Sequence, residues 1–125
     1  MLKEKYKDLI DYGQKLGIKD VAIREDAGKL IIKGSAPYQY EKELFWDKIK
    51  TYPKYQEEIG ANILVQSTDI FGYYTVQAGD TLSKISKWHL DDANKYMELF
   101  NINKDILKDP NLIKVGQKLK LPNKK

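Results

Sequence analysis

The stretch YTVQAGDTLSKI, residues 74–85, combines three local structural signals in one short segment. Tyr74-Thr75-Val76 has the aromatic and β-branched residues that favour a strand. Gly79 then marks a turn, and Asp80 lies where a helix N-cap is expected to accept a hydrogen bond from a free backbone N–H. Leu82 begins the apolar stripe of the helix that follows. The stretch therefore predicts a strand, a turn and the start of a helix. The turn could also present backbone groups to a ligand.

The residues after this stretch extend it into a small unit of strand, helix, helix and strand. The second helix is predicted by apolar residues at helical spacing. The closing strand is predicted at GQKLKLP, residues 116–122, because Leu119 and Leu121 alternate with lysines and point to one face. We expect the first and last strands to pair as an antiparallel sheet beneath the helices. The residues that mark the second helix are Tyr96, Leu99 and Phe100.

The preceding residues predict another compact unit of helices and strands. Its helices have apolar residues at intervals of three and four, and its strands are short apolar segments bounded by turn residues. Asp26-Ala27-Gly28 has the composition of a tight turn and predicts a hairpin. The whole chain is predicted to be α+β, with an αββαβ domain followed by a small βααβ domain. The predicted elements of the first domain are a helix over 2–16, strands over 21–25 and 29–34, a helix over 38–52 and a strand over 61–67.

The predicted division places a first domain at residues 1–68, a linker at 69–72 and a second domain at 73–125. Charge supports two units, because residues 1–70 are balanced whereas residues 71–125 carry the whole net charge of +4. The lysines of the second unit are dispersed, whereas a nucleic-acid surface favours a denser basic stripe. We therefore expect no nucleic-acid partner.

The composition favours a cytoplasmic protein without disulfides. The chain has no cysteine, which excludes disulfides and thiolate metal ligands. Its start, MLKEKYKDLIDYG, is interrupted by charges and lacks the apolar run of about 7–15 residues that a secretory signal needs. No apolar run approaches the ~20 residues of a membrane span. The first helix mixes positive and negative charges on its polar face, so a membrane partner is not expected either.

Several segments of the chain carry a family resemblance. YTVQAGDTLSKIS (74–86), LFNINKD (99–105) and IKVGQKLKLP (113–122) together resemble the LysM domain. GKLIIKGSAP (28–37), followed by a helix and ANILVQS (61–67), resembles a BON domain. The combination resembles the small cytoplasmic BON–LysM proteins, whose members are described as potassium-binding.

The chain departs from the family pattern at two loop positions. Asp91 stands where a glycine is usual at the entry to the second helix, and Val115 stands where a proline is usual before the final glycine. Both positions are in loops, so the departures bear on loop conformation and ligand contacts and not on the expected fold.

The LysM resemblance implies a shallow groove for N-acetylglucosamine polymers such as peptidoglycan or chitin. In such a groove, backbone N–H and C=O groups can hold an acetamido group while apolar side chains contact its methyl. Gly79 and Asp80 are also explained by a turn and a helix cap alone, and Asn103 could bond a nearby loop backbone. The positions that match the family's glycan-binding groove are Gly79, Asp80, Thr81, Leu82, Asn103, Lys104, Asp105, Ile106 and Ile113.

The BON–LysM resemblance implies a bound potassium ion. A large monovalent cation is best held by several neutral oxygens such as backbone carbonyls, which leave no side-chain signature. The loops expected at the domain junction, Thr68–Gly72 and Lys15–Lys19, are where such carbonyls could converge. Asp91 and Asp92 are adjacent acids that could draw a cation, although a solvated loop explains them better.

No other chemistry is indicated by the sequence. A zinc site needs three or four ligands, and His89 is the single histidine, so we expect no zinc and no organic cofactor. No nucleophile motif surrounds a serine and no catalytic carboxylate pair is marked, so we expect a non-enzymatic protein. Two hypotheses follow: a cytosolic potassium-binding or ion-sensing protein whose domains are ordered by the ion, and a glycan-binding protein. A scaffold with a protein partner remains a third alternative.

Overall fold

The computed structural model describes residues 1–123, so the last two residues of the predicted second domain lie outside the described part of the chain. The chain divides into two compact units, Met1–Thr68 and a second unit from Asp69 onward. Both contain helices and strands, which confirms the predicted α+β class.

The first unit is a three-stranded sheet with helices packed against one of its faces. The strands lie in the order β1-β2-β3, with β1 antiparallel and β3 parallel to β2. The core is formed by apolar side chains from the sheet and the helices, including Leu9, Leu30, Phe45 and Ile63. The elements are α1 (Leu2–Lys5), α2 (Lys7–Lys15), β1 (Lys19–Asp26), β2 (Lys29–Ala36), α3 (Gln39–Ile49), α4 (Tyr55–Glu58) and β3 (Ile59–Val65).

The predicted hairpin is present, and its turn explains its composition. Asp26 pairs with Lys29, so Ala27 and Gly28 form a two-residue loop. Both have positive φ, 51° and 79° respectively, which is the backbone of a type I′ turn. Gly17 has a φ of 83° two residues after α2 ends, so the predicted stop signal of the first helix is also present.

The first unit departs from the predicted elements at two places. The first helix is interrupted at Tyr6, whose buried ring contacts Tyr52 edge-on at 4.9 Å between centroids. The Tyr6 hydroxyl donates to Glu58 at 2.6 Å, and this tertiary anchoring accompanies the break in helical geometry. Glu58 ends the short helix α4, which the sequence pattern did not predict because a single turn has no measurable periodicity.

The second unit has the predicted order of strand, helix, helix and strand. Its two strands pair antiparallel, with Gly72 opposite Leu121. Leu119 and Leu121 are fully buried, as the alternation with lysines predicted. The elements are β4 (Gly72–Thr75), α5 (Leu82–Leu90), a 3-10 turn (Ala93–Lys95), α6 (Tyr96–Ile102) and β5 (Lys118–Leu121).

The predicted linker, residues 69–72, lies within the second unit. Phe71 is buried at 3% exposure, and its backbone N–H donates to the carbonyl of Leu121 at 2.9 Å. Gly72 is the first residue of β4. The sequence could not show this, because an aromatic residue beside a glycine is also typical of a connector. The pairing with β5 that brings these residues into the sheet involves residues far along the chain.

The departure at Asp91 gives a stability prediction. Asp91 follows α5 with a φ of 61°, a left-handed conformation that costs an L-residue more than it costs glycine. We expect Asp91→Gly to stabilise the second unit by about 0.5 kcal/mol, measured by urea denaturation. The matched control is Asp92→Gly, because Asp92 has extended backbone and its carboxylate caps the 3-10 turn through Asn94 N–H at 2.9 Å. Asp92→Gly should destabilise the second unit. Equal changes in the unfolding free energy for Asp91→Gly and Asp92→Gly would contradict the prediction.

Candidate binding cleft

The turn before α5 is held by one carboxylate. Asp80 Oδ2 accepts hydrogen bonds from the Tyr74 hydroxyl at 2.6 Å and from the Gln77 backbone N–H at 2.7 Å. These two bonds hold the pKa of Asp80 below its usual value of 3.8, and the bond from Tyr74 has the larger effect. Gly79 completes the turn with a φ of 84°. The turn is therefore fixed by its own hydrogen bonds, independently of any ligand.

The N-cap of α5 is Thr81 and not Asp80, which corrects the sequence interpretation by one residue. Thr81 has extended backbone, and its hydroxyl oxygen accepts from the Lys84 backbone N–H at 3.1 Å. Both residues are of capping type, and the choice between them depends on Tyr74, which engages the Asp80 carboxylate. Leu82 and Ile85 are then buried, as the helical stripe predicted.

A second loop, residues 109–117, is also stabilised by local bonds. Asp109 Oδ1 accepts from the Asn111 backbone N–H at 2.8 Å, and Gln117 Oε1 accepts from the Lys114 backbone N–H at 2.8 Å. These bonds hold the segment that precedes β5 in a defined conformation.

The two loops and the start of α6 enclose a cleft of about 320 Å³, which we call the α5 cleft. It is open to solvent, and its walls combine apolar surface from Pro110 and Ile113 with polar groups. Four residues on α5 and the turn before it face four residues from α6 and the 109–117 loop. The lining residues are Asp80, Thr81, Leu82, Ser83, Tyr96, Pro110, Asn111 and Ile113.

The α5 cleft contains four of the nine predicted glycan-binding residues, Asp80, Thr81, Leu82 and Ile113. The other five lie elsewhere in the second unit. Asn103 is buried at 1% exposure, and its amide bonds the Leu99 carbonyl and both backbone groups of Lys120. The Gly79 carbonyl accepts a hydrogen bond from the Lys84 side chain, and the Lys104 ammonium lies over the Phe100 ring. The Asp105 carboxylate forms an ion pair with Lys120 at 3.9 Å, and Ile106 is 43% exposed.

Four lining residues were missed by the sequence reasoning: Ser83, Tyr96, Pro110 and Asn111. Asp109-Pro110-Asn111 has a recognisable turn composition, and its closeness to Ile113 in the sequence was the available signal. Tyr96 opens α6 and is only half-buried, although its helical spacing suggested core packing. Ser83 carries no signal beyond its position next to Leu82.

The charge environment of the α5 cleft is set by a helix start. Unpaired N–H groups at the first turn of a helix carry partial positive charge and attract oxygen acceptors. The Asp80 carboxylate lies at this end but is already bonded to Tyr74 and Gln77. The α5 cleft therefore offers backbone N–H donors that suit a ligand with carbonyl oxygens.

The lowered pKa of Asp80 gives a prediction on acid stability. Its folded-state pKa lies below the unfolded value, so its contribution is present above pH 3.8 and is lost as the pH falls through the folded pKa. We expect acidification from pH 5 to pH 2 to lower the melting temperature of the wild type more than that of Asp80→Ala. The control is Asp91→Ala, which removes an exposed acid of the same unit. If the melting temperature of Asp91→Ala depends on pH in the same way as that of Asp80→Ala, the assignment to Asp80 is contradicted.

The remaining candidate cation ligands have structural roles or are dispersed. No group of three or more His, Asp or Glu residues within 1–123 is arranged to hold a metal ion. His89 is buried at 2% exposure, with Nε2 at 2.6 Å from the Pro122 carbonyl and its ring 4.5 Å from that of Phe71. The Asp92 carboxylate caps the 3-10 turn. In the 15–19 segment Ile18 is buried, and in the 68–72 segment Phe71 is buried.

Comparison with known proteins defines the class of the second unit. Residues 74–122 match the LysM domain family. The chain is similar to the potassium binding protein Kbp of Escherichia coli O6:H1, with 50% identity over 50 residues, or 40% of this chain and 34% of that protein. It is also 41% identical over 49 residues to an uncharacterized protein of Deinococcus radiodurans, covering 39% of this chain and 19% of that protein.

The matched residues span about a third of the length of the first relative and about a fifth of the second. Within residues 1–123, none of the helices has the length and apolar character needed to cross a membrane. The BON resemblance of the first unit stays a prediction from its sequence.

Proposed function

We propose that this protein is a non-enzymatic binding protein that binds potassium. The observation that carries the proposal is the 50% identity over 50 residues to a protein named as potassium binding. The sequence resemblance to BON–LysM proteins supports the same ligand. On this proposal the ion is held by backbone carbonyls, and its binding orders the protein.

We expect the carbonyl site for potassium to lie outside the α5 cleft. The first turn of α5 presents N–H donors there and not carbonyl oxygens, and Asp80 Oδ2 already accepts from Tyr74 and Gln77. Carbonyl ligands come from irregular backbone, and the predicted candidates remain the segments 15–19 and 68–72. Gly17, with a φ of 83°, gives the first of these segments the irregular backbone that such ligands require.

Potassium selectivity is the direct test. We expect KCl to raise the melting temperature above the value in NaCl at the same ionic strength, with a dependence on concentration that follows RT ln(1 + [L]/Kd). Each unit has one tryptophan, Trp46 and Trp88, so fluorescence in Trp46→Phe and Trp88→Phe backgrounds reports which unit responds. Identical melting curves in the two salts would overturn the proposal.

A glycan containing N-acetylglucosamine is the second candidate ligand, because the α5 cleft has the features that such a ligand requires. An acetamido carbonyl can accept from the N–H groups at the start of α5, while Ile113 presents apolar surface to its methyl. The match of residues 74–122 to the LysM family supports this ligand independently.

A blocking variant separates the two ligands. Ser83 is exposed and lines the α5 cleft, so Ser83→Trp should fill it, whereas Lys87→Trp one turn later is the matched control. With chitooligosaccharide we expect NMR shifts at Thr81, Leu82 and Ile113 in the wild type and the control and none in Ser83→Trp. The potassium response should be the same in all three. Absence of shifts in the wild type at millimolar sugar would exclude the glycan and leave the potassium proposal standing.

A further inference from the structure

The two edges of the first unit's sheet differ sharply in charge. At one edge, β1 has five charged residues among its eight, and its pairing with β2 is interrupted by an irregularity between Lys19 and Ala22. At the other edge, β3 has no charged residue over Ile59–Val65. Charges and bulges are the usual protection of a sheet edge against further pairing. The β1 edge therefore has this protection, and the β3 edge lacks it.

The free backbone groups of β3 can be assigned from its pairing with β2. Gln66 N–H donates to the Ala36 carbonyl at 2.8 Å, so residue 66 directs its backbone groups toward β2. Because these directions alternate along a parallel strand, residues 60, 62 and 64 also face β2, while 59, 61, 63 and 65 face the open edge. Among residues 1–123, no other backbone segment pairs with that edge.

We propose that the β3 edge pairs antiparallel with the β3 edge of a second copy of this chain, which joins two three-stranded sheets into one. The midpoint of Ile59–Val65 is Asn62. A two-fold axis at Asn62 pairs all seven residues of each strand, and it sets the outward-directed residues Ala61 and Ile63 opposite each other. The hydrogen-bond alternation of β3 is therefore compatible with the symmetric register of greatest overlap.

The side chains of β3 are self-complementary in this register. Leu64 is 65% exposed on the face away from the core, and it comes opposite Gly60 of the second copy, which offers no side chain to collide with. Glu58, at the acidic end of the segment, comes opposite Gln66 and not opposite another acid. No like-charge contact arises along the paired edges, so a second copy fits this edge without electrostatic cost.

The predicted association is weak. The contact is confined to one strand from each copy, so the buried area falls below the ~1,600 Å² of a standard interface. We expect a reversible dimer that forms at roughly 10–500 μM protein and is monomeric at high dilution.

The two-fold axis at Asn62 supplies the test. Asn62 is exposed and lies beside Lys33 of β2, so both variants should fold, with Asn62→Lys melting slightly below the wild type and Asn62→Asp slightly above it. Each variant alone places like charges directly opposite each other and should stay monomeric in sedimentation velocity up to 500 μM, which spans the roughly 10–500 μM range of a weak contact. An equimolar mixture of the two places opposite charges there and should associate at least as well as the wild type.

Two further measurements keep the inference falsifiable. Ala22→Lys adds an exposed charge to the β1 edge and should associate as the wild type does. Amide exchange at Ala61 and Ile63 should slow as the protein concentration rises, while the Asn62 amide, which already faces β2, should not change. A wild type that is monomeric throughout, or an Asn62→Lys variant that associates as the wild type does, overturns the proposal and leaves the edge to a different partner.

Discussion

Phe45→Ala is expected to destabilise the first unit by about 3–5 kcal/mol, the usual cost of truncating a buried phenylalanine. Phe45 is 2% exposed and lies in α3 against α2. Its ring passes Gly13 so closely that a Cβ at Gly13 would lie 2.9 Å from Cε1. Because Gly13 has no side chain, it cannot fill the space that the ring leaves. The loss is a large fraction of the about 5–15 kcal/mol that stabilises an ordinary domain.

Urea denaturation followed by Trp46 in a Trp88→Phe background measures this loss within the first unit. Phe45→Leu, which removes fewer atoms, should cost clearly less than Phe45→Ala. Asp47→Ala is the surface control, because Asp47 is exposed on the same helix and should change the unfolding free energy by no more than about 0.5 kcal/mol. Equal midpoints for Phe45→Ala and Asp47→Ala would contradict the assigned packing.

The elements that the sequence predicted well are those with long periodic patterns or special turn residues. The α5 stripe of Leu82 and Ile85, the alternation at Leu119 and Leu121, and the turn after Asp26 depend on local rules, and all three are confirmed. The break of the first helix at Tyr6 was not predictable in this way, because it accompanies a hydroxyl bonded to a residue far along the chain.

The candidate site was predicted less completely for the same physical reason. Thr81, Leu82 and Ile113 line the α5 cleft, but Asn103 does not, although its position in the sequence resembles that of a ligand-binding residue. A polar residue in the loop after a helix gives the same sequence signal whether its side chain faces a ligand or the protein interior. Only the position of β5 shows which occurs, because the backbone groups of Lys120 engage the Asn103 amide.

Asn103→Ala is accordingly expected to destabilise the second unit by about 3–4 kcal/mol, without any ligand being involved. The Asn103 amide donates to the carbonyls of Leu99 and Lys120 at 2.8 and 3.1 Å and accepts from the Lys120 N–H at 2.7 Å. Its removal leaves these buried backbone groups unsatisfied, and each such group costs about 1–3 kcal/mol. Urea denaturation followed by Trp88 in a Trp46→Phe background measures the loss. Asn101→Ala is the control, since Asn101 is exposed on α6.

Asn103→Asp distinguishes lost hydrogen bonds from lost volume, because it keeps the shape of the side chain. The new carboxylate oxygen would face the carbonyls of Leu99 and Lys120, which now receive no donor, so the variant should be destabilised at pH 7 despite the absence of a cavity. Burial raises the pKa of such a carboxyl above its unfolded value, so the lost stability should partly return as the pH falls and the protonated group donates again. If Asn103→Asp is as stable as the wild type at pH 7, the buried amide does not hold β5 to α6.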